Sequence, residues 1–250
     1  MKKIKLFQDD YLRQGYVARG EIKKLKESYR GVLTKNKNTR TFWNEKMVKG
    51  LSFAEQDMMT RDRIFNAVNL VGENKRIKLL DVGAGYGYFE EILNKEKNKV
   101  RMYGIDISDS AVRSLHEKFD GTFRVGVATE IPFKSNHFDV VVALEVIEHI
   151  PAEDSLKAYK EIKRVLKKGG VFICSVPVFE TYTEEYNPNA HMRAYTPQLF
   201  EYELKMNGFK ILEEKLFYAF KNLYSVKKFI GKIVKRWKPN VILVKAVARK

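Results

Sequence analysis

The stretch Leu79-Leu-Asp-Val-Gly-Ala-Gly-Tyr-Gly87 decides how this chain is read. Its first residues close an apolar run, Ile77–Val82, of strand length. Tyr88–Asn94 follows with helical character, so Gly83, Gly85 and Gly87 stand at a strand-to-helix turn. Glycine lets a backbone turn sharply and admits a ligand where a Cβ would stand. Beside a helix N-terminus, such a loop takes a nucleotide-like ligand. A pyrophosphate loop would read G-x-G-x-x-G; here Tyr88 takes the third-glycine place, which argues against a pyrophosphate. Asp106 ends the next expected strand, in GIDIS. A carboxylate there can accept two hydrogen bonds from a ribose diol. Loop and acid together predict a nucleoside-type ligand. Separately they would read as a turn cluster and a helix N-cap.

Outward from that loop, short apolar runs alternate with amphipathic segments, the pattern of βα units on a parallel sheet. Expected strands are Ile77–Val82, Arg101–Ile107, Thr122–Val127, Phe138–Leu144 and Val171–Val176. Several are apolar on consecutive residues, as strands covered on both faces should be. Glu153–Leu166 reads as a helix stopped by Lys167, Lys168 and the Gly169-Gly170 pair. A further helix should open at Thr196, with Pro197 in its first position, and stop at Asn207-Gly208. Phe209–Phe217 and Val241–Val247 should pair antiparallel around a helical insertion.

Residues 1–72 lack Val/Ile alternation and read as a polar helical cap, ahead of a domain at 73–250. Ser52-Phe-Ala-Glu55 has capping-box spacing, and Ile64, Phe65, Val68 and Val71 recur at helical spacing behind it. An earlier helix is expected over Asp10–Leu33. Tyr11, Tyr16, Trp43 and Phe53 are candidates to line a pocket beneath the cap, or to serve as packing residues.

The ordered motifs LLDVGAGYG, GIDIS, ATEIPF, FDVVVALEVIEHI and VLKKGGVFICSVP, across Ile77 to Val247, resemble the class I S-adenosylmethionine-dependent methyltransferases. The resemblance implies a Rossmann-like α/β fold: a seven-stranded, mostly parallel sheet with helices on both faces. It implies S-adenosylmethionine as cofactor. Asp81 and Gly83 would lie near its methionine part, Asp106 would hold the ribose and Ile107 would pack on the adenine. Ala84, Gly85, Gly87 and Leu144 complete the implied cofactor set. Where many relatives carry an acid before the Pro-Phe of the third strand loop, this chain has Val127, leaving the backbone around Ala128 and Thr129 to serve the adenine.

Ligands of open α/β sheets bind beyond the carboxyl ends of the strands. That edge carries Glu145, Glu148 and His149 after the fourth strand, and His191 after the fifth. At i, i+3 and i+4, the first three would share a face if they formed a helical turn. Two chemistries fit. His149 or His191, with Glu148, could act as a general base. Alternatively, Glu145, Glu148, His149 and His191 could hold a divalent metal. Glu-x-x-Glu-His with a later His resembles the metal pattern of small-RNA 2′-O-methyltransferases, and its Glu-His part resembles ubiquinone-biosynthesis O-methyltransferases. His116 and His137 read as surface residues. A single cysteine, Cys174, excludes an internal disulfide and a thiolate zinc finger.

The formal net charge is +16, which attracts polyanions or reflects a lysine-rich solvated surface. In Phe220–Pro239, Val226, Phe229, Ile230, Ile233, Val234 and Trp237 recur at helical spacing among Lys227, Lys228, Lys232, Lys235 and Arg236. This basic amphipathic helix, about 220–238, could pack on the domain, rest on an anionic membrane or touch RNA. ALEVIEHI differs from the Asn/Asp-Pro-Pro-aromatic motif of amino-directed nucleic-acid methylases, so DNA is not expected. No secretory signal and no membrane span is read, and a cytoplasmic, at most membrane-peripheral, protein is expected. The leading expectation is methyl transfer to a small-molecule, lipid- or quinone-like acceptor. An RNA 2′-O-methyltransferase and a non-catalytic cofactor-binding subunit are the alternatives.

Overall fold

A computed structural model describes residues 36–47, 52–72, 77–96, 100–180, 187, 189–219, 224 and 237–249. The helix expected over Asp10–Leu33, with Tyr11 and Tyr16, lies outside them, as does nearly all of the basic segment 220–238.

The elements run α1 (Arg40–Met47), α2 (Met58–Leu70), β1 (Ile77–Val82), α3 (Tyr88–Glu96), β2 (Val100–Asp106), α4 (Asp109–Lys118), β3 (Gly121–Val125), β4 (Phe138–Leu144), α5 (Ala152–Val165), β5 (Leu166–Pro177), α6 (Pro197–Met206), β6 (Phe209–Phe217) and β7 (Val241–Ala248). The seven strands form one sheet in the order β3-β2-β1-β4-β5-β7-β6. β1 to β5 pair in parallel, and β7 lies antiparallel to both β5 and β6. The chain steps outward from β1 through β2 to β3, then returns to the other side of β1 for β4. A crevice therefore opens beyond the carboxyl ends of β1 and β4, where a doubly wound sheet binds ligands.

Period-two alternation assigns each strand residue to a face. Leu80, Val82, Val141, Ala143, Phe172 and Cys174 pack with Tyr159 and Ile162 of α5 and Phe200 and Leu204 of α6. Leu79, Val140, Val142, Ile173 and Leu243 pack with Ile64, Ala67 and Val68 of α2 and Phe89 and Leu93 of α3. Both faces are covered, which accounts for the unbroken apolar runs of β1, β4 and β5. Among the described residues, no helix is long and apolar enough to cross a membrane.

Two element boundaries differ from expectation. Ser52 opens a short 3-10 turn, Phe53–Glu55, whose Glu55 carboxylate accepts from both the Ser52 amide and hydroxyl. The helix itself starts after Asp57, which accepts from the Met59 and Thr60 amides at 3.0 and 3.1 Å. An N-cap of this kind contributes about 1 kcal/mol. α5 ends at Val165, and Gly169-Gly170 does not cap it. Leu166, fully buried, already pairs with Phe138, so the chain turns into β5 at once. Gly169, at φ 74°, instead lies where the β4–β5 register shifts. Thr196 caps α6 by accepting from the Leu199 amide, and the helix stops at Asn207 before Gly208, as the sequence predicts.

Candidate active site

Gly83, Gly85 and Gly87 all lie at positive φ, 77°, 54° and 79°. The Gly83 and Ala84 amides donate to the Ile105 carbonyl, so the loop folds over the end of β2. A Cβ on Gly83 would stand 2.5 Å from Val146 Cγ2, and one on Gly87 would stand 2.6 Å from Phe119 Cε2. These two glycines let neighbouring elements close in, whereas a Cβ on Gly85 would meet no side chain within 4 Å. The Gly85 amide donates to Asp106 Oδ2 at 2.9 Å, and the Ser108 amide to Oδ1 at 2.8 Å. Burial pushes the Asp106 carboxyl up, while these backbone bonds pull it down.

Behind the loop, Asp81 and Glu90 are buried carboxyls. Burial pushes Asp81 well up, and the Glu90 and Asp106 charges push it further. Burial takes Glu90 to about 7.

A cavity of about 300 Å³ opens above the glycine loop. Gly83, Gly85, Asp106, Ile107, Ala128 and Thr129 line it. Asp81, Ala84, Gly87 and Leu144, the rest of the expected cofactor set, are absent from the lining. Ala84 packs against Leu115 and Phe123, and Leu144 against the core on the α2–α3 side. Val127 lines the cavity at the place where an acid was looked for.

Trp43, Met47, Val146, His149 and Ile150 line the same cavity. Residues 36–47 are fastened across it. Asn38 Nδ2 donates to the carbonyls of His149 and Ala190, at 3.1 and 2.9 Å. Asn44 Oδ1 accepts from Ser108 Oγ at 2.7 Å, and the Tyr86 hydroxyl donates to the Lys46 carbonyl at 2.7 Å. Trp43 meets the His149 ring edge-on, with centroids 5.0 Å apart. Phe53, by contrast, is buried against Phe65 and Tyr88 as a packing residue.

Glu145, Glu148 and His149 do not share a helical face. Glu145 has φ 57°, and only Ile147–His149 forms a 3-10 turn. Glu145 turns instead to Arg63, at 2.8 Å, and accepts from Ser175 Oγ at 2.9 Å. Among the described residues the ligand atoms that come together are those of Glu148, His149 and His191, without Glu145.

Glu148 is fully buried, and among the described residues neither carboxylate oxygen has a hydrogen-bond partner. Its Oε1 lies 3.9 Å from His149 Nε2 and 4.0 Å from His191 Nε2. Burial, then the Glu145 charge, pushes the Glu148 carboxyl well up. Burial, then His191, takes His149 down to about 3, so its imidazole is neutral at pH 7. His191 Nδ1 lies 2.7 Å from Glu180 Oε2. The turn is held from behind. The Met192 and Arg193 amides donate to the Glu148 carbonyl, while the Arg193 guanidinium donates to the Ile147 carbonyl and pairs with Glu203 at 2.6 Å.

The sequence reading did not reach Asn38, Asn44, Arg63, Glu90 or Glu180. A signal existed for Arg63: it shares a helical face with Ala67 and Leu70, all buried. Asn38, Asn44 and Glu180 carried none. His116 is exposed and His137 half-buried.

The Methyltransferase domain family model matches residues 80–174. An uncharacterized protein of Methanocaldococcus jannaschii is 30% identical over 184 residues, 70% of this chain and 76% of that protein. A demethylmenaquinone methyltransferase of Staphylococcus aureus is 34% identical over 137 residues; the match spans half of this chain and 55% of the relative. The fold is similar to that of an N-methyltransferase from Bradyrhizobium japonicum in complex with S-adenosyl-L-homocysteine, with TM-score 0.63 and 13% identity, over 85% of this chain and all of that one.

Proposed function

Because this chain belongs to the class I S-adenosylmethionine-dependent methyltransferase superfamily, we propose that it methylates a small-molecule acceptor of quinone-like character. The observation that carries this reading is one cavity lined both by glycine backbone with the Asp106 carboxylate and by the apolar side chains of Trp43, Met47, Val146 and Ile150.

The glycine loop and Asp106 suit the cofactor. Each Asp106 oxygen accepts one backbone N–H and keeps a lone pair for a ribose hydroxyl. Asp81 and Glu90, buried together behind the loop and outside the cavity lining, back it with two interacting carboxyls. S-adenosylmethionine supplies a sulfonium-bound methyl that is already electrophilic. The protein's task is then to align an acceptor atom with that methyl and exclude water.

The apolar side chains of Trp43, Met47, Val146 and Ile150 suit a flat ring, and the neutral His149 imidazole adds a hydrogen-bonding group without adding charge. The likeness to a demethylmenaquinone methyltransferase over half the chain supports a quinone-like acceptor. The fastened segment 36–47 serves as part of the cover over the acceptor. The RNA alternative drew on the net charge and on a metal at Glu145, Glu148, His149 and His191, of which Glu145 pairs with Arg63. Incubation with methyl-labelled S-adenosylmethionine and fractionated cell extract tests the proposal. Label should enter the lipid-soluble small molecules; label confined to RNA or protein would overturn it.

A further inference from the structure

Glu148 poses a chemical problem that methyl transfer does not solve. It is a fully buried carboxyl with no hydrogen-bond partner among the described residues. An unpaired buried carboxylate is strongly unfavourable, so such groups are protonated, paired or bound to a metal. Two imidazole nitrogens face it at 3.9 and 4.0 Å. One ligand atom from each of Glu148, His149 and His191 fits within a sphere where all lie under 4.8 Å apart.

We propose that Glu148, His149 and His191 form a binding site for one divalent transition-metal ion of the zinc class, with an open position facing the cavity. Three features support this beyond proximity. His191 Nδ1 is engaged by Glu180 at 2.7 Å, which turns Nε2 toward Glu148. A carboxylate behind a histidine is the usual outer partner of a metal-bound imidazole. The Glu148 turn is clamped by the Met192 and Arg193 amides, so two ligands are preset before an ion arrives. His149 lines the cavity while Glu148 and His191 are buried, so the cavity reaches the site through His149.

The donor set chooses the metal class. Magnesium and calcium take oxygen ligands, whereas two imidazoles with one carboxylate suit zinc and its first-row neighbours, and match three-ligand sites that keep an open position. Tetrahedral ligands about 2.0–2.1 Å from an ion stand roughly 3.3 Å apart, so binding would draw these groups together by about 0.6 Å or more, and by up to about 1.5 Å for the widest pair. Glu145 is excluded from the site by its bond to Arg63. The inference rests on these side chains and not on the acceptor's identity.

The full chain, stripped with chelator, is titrated with zinc chloride by calorimetry, and bound metal is counted by elemental analysis. One equivalent should bind at micromolar concentration or tighter, and magnesium should not compete. Cobalt(II) should give visible d–d absorption that zinc displaces. Glu148→Gln and His191→Ala should each weaken zinc at least about 100-fold, while Glu145→Gln should change it less than about threefold. Thermal melting checks that each variant is folded; if Glu148→Gln unfolds, the cobalt spectrum of the wild type and its loss in His191→Ala decide. No zinc on folded wild-type protein, equal binding of magnesium, or loss of zinc in Glu145→Gln comparable to that in Glu148→Gln would overturn the site.

Discussion

The carboxylate of Asp106 accepts a hydrogen bond from the amide of Gly85, 2.9 Å away. The acid that ends β2 and the loop that follows β1 are thus a single unit, with the loop's shape fixed from the neighbouring strand. The second Asp106 oxygen takes the Ser108 amide, and Ser108 in turn caps α4 by accepting from Ala111. Any ligand that binds Asp106 addresses a carboxylate already aimed by two backbone donors, which lowers the ordering cost of binding.

Gly83 tolerates little change. Its φ of 77° strains any other residue, and an added Cβ would meet Val146 Cγ2 at 2.5 Å. Gly83→Ala should cost about 1–3 kcal/mol of stability and weaken cofactor binding. Adding Val146→Ala should return part of the stability, because it removes the clash and leaves the backbone strain. Denaturant melts of the single and double variants measure this; equal stability of the two would show that the contact with Val146 is unimportant.

The buried pair Asp81–Glu90 makes stability depend on pH. Burial first, offset in part by hydrogen bonds, takes Glu90 from an ordinary 4.5 to about 7. Between those values the unfolded chain has released a proton that the folded chain retains. The contribution is therefore full below pH 4.5 and lost as pH rises through 7. Its size is on the order of 3 kcal/mol. Melting temperatures of the cofactor-free protein should fall from pH 5 to 8 more steeply than those of Glu90→Gln. Parallel profiles would contradict the assignment.

Arg193 and Glu203 form an ion pair buried to about 1% exposure or less. The Tyr159 and Tyr195 hydroxyls also donate to Glu203. Removing the arginine alone leaves a buried carboxylate short of its cation, so Arg193→Met should cost about 3–5 kcal/mol. Arg193→Met with Glu203→Leu should cost less than the first change alone. Because Arg193 also holds the Ile147 carbonyl, the single variant should loosen the turn that carries His149. Chemical denaturation reads the first effect and amide exchange at residues 147–150 the second.

Much of the fold was legible because its signals are local. Consecutive apolar residues at Leu79–Val82 and Val140–Leu144 mark strands covered on both faces, and Thr196-Pro197 and Asn207-Gly208 bracket a helix by chemistry that does not depend on partners. The strand-versus-turn fate of Lys167–Gly170 was not legible, since it depends on Leu166 being buried beside Phe138. The part of the cavity formed by Gly83, Gly85 and Asp106 was readable for the same local reason, since these residues stand at strand ends. The surroundings of Glu145 and Glu148 were not. Whether Glu145 faces Glu148 or Arg63 is decided by a helix eighty residues earlier in the chain, and Asn38, Asn44 and Glu180 act through contacts with distant backbone and side chains that leave no pattern in sequence.

An adenosyl ligand is expected on the glycine loop and Asp106. Isothermal calorimetry with S-adenosyl-L-homocysteine on the folded chain and on Asp106→Ala tests it most directly. One equivalent should bind the wild type. Asp106→Ala, folded by its melting curve, should bind roughly 10- to 100-fold more weakly, the value of hydrogen bonds to a charged acceptor. No heat with wild-type protein, or an unchanged affinity in Asp106→Ala, would contradict the account.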